Sequence, residues 1–103
     1  MSKLVKVAET KDIAPGTGKV VQANGYSIAL FNLAEVFHAI ANDCTHVGGP
    51  LGEGTVAGDV VTCPWHDAKF NIKTGEVVGP PAQTGVRRFP VQVQGNDVLV
   101  EVD

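Results

Sequence analysis

The sequence predicts an all-β fold, a small antiparallel β-sandwich or open barrel. Three observations carry that expectation. The apolar runs are short, tight-turn dipeptides separate them, and no longer window shows the periodicity of an amphipathic helix. Short, evenly spaced strands of this kind close into sandwiches and barrels. At 103 residues the chain has the length of one domain, and residues 1–103 are expected to form a single unit.

Each element has its own justification. Leu4–Ala8 (LVKVA) is a short β run. Pro15, Gly16 and Gly18 then make a turn-rich connection. KVVQA and YSIALFNL flank Asn24-Gly25, a strong hairpin signal because both central positions of a type I′ turn need positive φ. EVFHAIAN alternates Phe37, Ala39 and Ala41 with Val36, His38 and Ile40. Neither set is plainly polar, so this strand is expected to be covered on both faces. DVVTC, KFNIK and VRRFPVQVQ are further strands, and the last reaches DVLVEV through Gly95-Asn96.

Composition excludes several function classes. The formal net charge is -3, which disfavours nucleic acid and anionic membrane surfaces as partners. The first residues lack the apolar core of a signal peptide, and no run approaches the ~18 apolar residues of a membrane span. The expected location is a cytoplasm that keeps thiols reduced.

The strand rhythm breaks at Cys44–Pro50 and again at Cys63–Ala68, where Gly48, Gly49, Pro50 and Pro64 impose loops. Gly79, Pro80 and Pro81 make a stiff third loop. The first two loops hold both cysteines of the chain and two of its three histidines. Their pattern is C-x-H, sixteen residues, then C-x-x-H, formed by Cys44, His46, Cys63 and His66. Each loop supplies one thiolate and one imidazole, ligands that suit zinc or an iron–sulfur cluster. A Cys44–Cys63 disulfide is the plain alternative, disfavoured by a reducing compartment and silent about the two matched histidines. A zinc finger would place its histidines together on a helix, which this spacing does not offer. Spacing alone leaves these readings open.

CTHVGGPL and CPWHDAKFNIKTGEV resemble the two cluster-binding loops of Rieske [2Fe–2S] proteins, and the resemblance extends over essentially the whole chain. It implies a Rieske-like fold with a cluster-binding loop subdomain at about residues 43–68 and a proline loop at 79–81. It implies one [2Fe–2S] cluster per chain, with Cys44 and Cys63 on one iron and His46 and His66 on the other. Two departures matter. Where high-potential members carry an extra disulfide, this chain has Gly49 and Trp65; where they carry serine and tyrosine hydroxyls, it has Ala68 and Phe70. A hydrogen bond to a cluster sulfur stabilises the reduced state, so missing donors place the expected potential low in the roughly −150 to +300 mV range of Rieske centres.

The segment from Asp67 to Asp103 contains no histidine, so no 2-His-1-carboxylate iron site is expected there. The chain therefore resembles the ferredoxin component of bacterial aromatic-ring-hydroxylating dioxygenase systems. That resemblance implies a monomeric one-electron carrier, not an enzyme. It would run between an NAD(P)H-dependent flavin reductase and a terminal oxygenase. The alternative is a Rieske-like small subunit of a larger oxidoreductase, such as assimilatory nitrite reductase. Among the remaining residues, His38 reads as structural, Trp65 as part of a docking rim, and Asp67 as solvated surface. Arg87 and Arg88 read as solvated charges on opposite strand faces.

Overall fold

The structure, a computed structural model, describes residues 3–42, 50–65, 68–79 and 85–102. Among these residues it is built from eleven strands and two short 3₁₀ turns, Thr10–Asp12 and Leu51–Glu53. The strands are β1 (Lys3–Glu9), β2 (Thr17–Ala23), β3 (Tyr26–Leu33), β4 (Val36–Ala41), β5 (Thr55–Ala57) and β6 (Val60–Thr62). They continue as β7 (Lys69–Asn71), β8 (Val77–Gly79), β9 (Arg88–Phe89), β10 (Val91–Gln94) and β11 (Asp97–Val102). They form three sheets, ordered β1-β11-β10, β2-β3-β4-β9 and β5-β6-β7-β8, and every pair is antiparallel.

The β2-β3-β4-β9 sheet is the middle layer. Ile28 and Leu30 of β3 pack on one side with Phe37, Ala39, Phe89, Val98, Val100 and Val102. Ala29 and Phe31, alternating with them, pack on the other side with Ile40, Leu51, Val61 and Phe70. The period-two alternation of side chains thus feeds two cores, and β4 is covered on both faces as its sequence predicts.

The turns explain the register. Asn24 and Gly25 sit at φ 50° and 87°, as a type I′ hairpin requires. A second two-residue turn joins β3 to β4 through Ala34 and Glu35, at φ 53° and 73°. Buried Asn32 supports this unusual backbone. Its Oδ1 accepts from the Glu35 amide at 2.7 Å, and its Nδ2 donates to the Ile13 carbonyl at 2.8 Å.

Two features differ from the sequence expectation. VRRFPVQVQ is not one strand. It breaks at Pro90, so that β9 pairs with β4 and β10 pairs with β11. Proline has no amide to give a ladder, and here the chain changes sheets at that residue. Strands β5 and β8 lie outside the strands expected from sequence; each is three residues long, β5 between Gly54 and Gly58 and β8 ending in Gly79.

Candidate functional site

Strand β6 delivers Cys63 to the root of the second loop. Its amide donates to the Ala68 carbonyl at 2.7 Å, which closes the segment 63–68 on itself. Cys63 and Ala68 are both fully buried, and they share one packed cluster with Leu51, Val61, Phe70 and Ile72. This apolar shell keeps water from the Cys63 side chain. Cys44, His46 and His66 lie outside the described residues, as do Asp67, Pro80 and Pro81, so Cys63 is the one predicted ligand whose surroundings are described.

The first loop is rooted beside it. Asn42 follows β4, and its carbonyl accepts from the Leu51 amide at 2.8 Å. Its Oδ1 accepts from the Gly52 amide, also at 2.8 Å. Sequence reasoning missed Asn42, which reads as an ordinary loop asparagine; an N-D dipeptide ahead of a ligand loop was the only available signal. The third loop leaves from Gly79 and returns at Gly85–Val86, where the Val86 amide donates to Gly75 at 2.7 Å.

Around these roots the surface is mixed. Trp65 is 51% exposed although Cys63 and Ala68 on either side of it are fully buried, which excludes core packing as its role. Val78 is exposed nearby in sequence to the third loop. Arg87 and Arg88 do point to opposite faces, but Arg87 is more than a solvated charge. Its guanidinium lies 5.2 Å from the Tyr26 ring centroid and 4.7 Å from that of Phe89. The two rings meet edge-on at 5.6 Å.

The opposite end of β4 and β6 holds a cavity of about 630 Å³, lined by Leu33, Val36, His38, Val56, Asp59 and Lys73 among others. Asp59 and Lys73 pair across 3.6 Å there. His38 carries a buried Nε2 with no hydrogen-bond partner among the described residues. Burial holds its pKa below the ordinary value, and the positive charges of Lys73 and Arg88 add to that; Asp59 opposes it. His38 thus belongs to the lining of this cavity.

The family model of the Rieske [2Fe–2S] domain matches residues 3–90. The chain belongs to the Rieske [2Fe–2S] family. It is 35% identical to the biphenyl dioxygenase ferredoxin subunit of Pseudomonas sp. (strain KKS102), over 93% of this chain and 89% of that protein. It superposes with a TM-score of 0.88 and 35% identity on a chain from the complex of reduced oxygenase and oxidized ferredoxin in carbazole 1,9a-dioxygenase, covering 94% of this chain and 91% of that one. The ferredoxin of carbazole 1,9a-dioxygenase from Nocardioides aromaticivorans IC177 gives 0.91 at 27% identity, covering 95% and 96% of the two chains.

The family's cofactor is a [2Fe–2S] cluster, and this chain is an electron-transfer component, not a catalyst. The described residues fit that group: a fully buried cysteine at a closed loop root, an apolar shell, and a second loop rooted in the same packed cluster. Among the described residues no helix is long and apolar enough to cross a membrane.

Proposed function

We propose that this Rieske protein is a cytoplasmic, monomeric one-electron shuttle. It takes electrons from an NAD(P)H-dependent flavin reductase and passes them to a terminal ring-hydroxylating oxygenase. Cys44 and Cys63 hold one iron; His46 and His66 hold the other. When bound, the cluster supplies a reversible one-electron couple. The protein's own residues bury the Cys63 side, close the loop roots through Cys63–Ala68 and Asn42–Leu51, and leave Trp65 exposed for a partner. The supporting observation is the likeness along nearly the whole chain to dioxygenase ferredoxin components.

Iron and sulfide analysis with EPR tests the ligands. Two irons and two acid-labile sulfides per chain are expected. Dithionite should give a rhombic signal with low average g, lost in Cys44→Ser and Cys63→Ser. Zinc without iron in a freshly prepared, oxygen-protected sample would reject the cluster. Stopped-flow mixing with a dioxygenase flavin reductase and then an oxygenase tests the route. Migration only within a larger reductase complex would favour the bound-subunit reading instead.

A further inference from the structure

We propose that Asn42 is a positioning residue for the cluster, the clamp that fixes the root of the first ligand loop relative to the second. Asn42 is buried, 6% exposed, at the end of β4. Its amide donates to the Ser27 carbonyl at 3.0 Å, which carries the β3–β4 pairing one step past β4. Its carbonyl accepts from Leu51 and its Oδ1 from Gly52, each at 2.8 Å. One residue therefore ties β3 to both ends of segment 43–50, the segment that bears Cys44 and His46. Bringing the ends of a loop together costs entropy, and these hydrogen bonds offset that cost for segment 43–50.

The clamp does not stop at Gly52. A Cβ on Gly52 would stand 2.7 Å from Val20 Cγ2 and 3.0 Å from the Lys19 carbonyl carbon, so the Gly52 backbone lies directly on β2. A Cβ on Gly54 would collide with the Thr62 carbonyl oxygen. Thr62 immediately precedes Cys63. The path from Asn42 to the second loop root thus has one side-chain link, Oδ1 to Gly52, and from there follows the backbone through Gly54, which packs so closely on Thr62 that a Cβ would not fit. The Asn42 side chain is therefore the link whose loss can slacken the path. A cluster of fixed dimensions needs its two ligand loops at a fixed separation, so loosening the clamp should ease the release of iron. Asparagine suits the position because its oxygen accepts the Gly52 amide without placing a charge in a buried site.

This inference rests on the reading of Cys44 and His46 as ligands, and two readouts separate the two claims. In Asn42→Ala the Gly52 amide loses its acceptor. Iron release to a chelator should then run about tenfold faster than in the native protein, equivalent to about 1.4 kcal/mol in the opening equilibrium. The EPR lines should broaden as the ligand geometry loosens, and hydrogen exchange at the Gly52 amide should quicken by a similar factor. Asn42→Asp keeps an acceptor oxygen but brings a charge into a buried site, so all three readouts should fall between those of Asn42→Ala and the native protein. Val100→Ala, in the other core, should lower global stability and leave the EPR lines unchanged. Should alanine not accumulate as folded holoprotein, Asn42→Ser replaces it, its shorter hydroxyl failing to reach Gly52. Native iron release and linewidths in Asn42→Ala, or iron release from Asn42→Asp as fast as from Asn42→Ala, would overturn the clamp. A native protein without a [2Fe–2S] signal would reject the ligand reading, while exchange at Gly52 would still decide whether Asn42 closes the loop.

Discussion

The amide of Cys63 donates to the carbonyl of Ala68 across 2.7 Å, and both residues are completely buried. The cysteine and the alanine methyl therefore sit in one buried cluster, with Phe70 beside them. Any donor introduced at position 68 or 70 enters surroundings where a hydrogen bond counts for more than in water.

Ala68→Ser and Phe70→Tyr should each raise the reduction potential. A charge-assisted hydrogen bond contributes roughly 1.5–3 kcal/mol, and about 59 mV corresponds to a tenfold change in a one-electron equilibrium. Shifts of several tens of millivolts per hydroxyl follow. Protein-film voltammetry checks them. Two variants that retain the cluster at the native potential would show that missing hydroxyls do not set it low.

Two glycines should respond very differently to alanine. A Cβ at Gly54 strikes the Thr62 carbonyl, a backbone atom that cannot turn aside. Gly54→Ala should cost about 3 kcal/mol or more and impair cluster retention. Gly58 has open space around it but sits at φ +61°, so Gly58→Ala should cost only about 1 kcal/mol, from the left-handed backbone. Urea denaturation monitored by circular dichroism measures both. Equal losses would mean that the Gly54–Thr62 contact relaxes freely.

The signals that made this fold legible were local. Asn24-Gly25 and Gly95-Asn96 announce their turns because glycine and asparagine tolerate positive φ. The β3–β4 turn carries no such mark. Ala34 and Glu35 adopt positive φ only because Asn32, distant from any turn signal, holds Glu35 and Ile13 together. Tertiary structure overrides propensity there, and sequence could not reveal it. Strand β8 was hidden for a different reason: VVG runs directly into the proline loop, too short to show alternation. At the site, the sequence marks Cys63 as the start of a loop because Pro64 follows it, and the structure ends β6 just before it. Asn42 was not legible, because its role depends on where Gly52 lies in space.

Trp65 is expected to serve the partner and not the fold. It is 51% exposed between buried Cys63 and Ala68, and exposed aromatic side chains are frequent anchors of protein interfaces. Trp65→Ala should leave the visible and EPR spectra near native while slowing electron transfer to the oxygenase roughly tenfold, the loss of one modest anchor. Stopped-flow oxidation of the prereduced protein by oxygenase measures it. An unchanged rate would remove Trp65 from the docking surface.

The last prediction concerns His38 and acid stability. Its pKa is lowered chiefly by burial, then by the positive charges of Lys73 and Arg88, with Asp59 acting the other way. Its Nε2 is buried without a partner among the described residues, so a proton placed there gains no acceptor. In the unfolded chain the imidazole regains its ordinary value of about 6.5. Between that value and the lower folded value the unfolded state binds more protons, so stability falls as pH drops through the window. Above about pH 6.5 both states are neutral at this position and the effect vanishes. His38→Gln removes the titration. The variant should therefore gain on the native protein as pH falls from 7.5 to 5.5, by no more than about 1.4 kcal/mol per pH unit, the ceiling for one proton. Taking the difference between the two proteins in urea titrations cancels the carboxylates and the other two histidines. A difference that stays constant across that range would show that His38 does not titrate with unfolding.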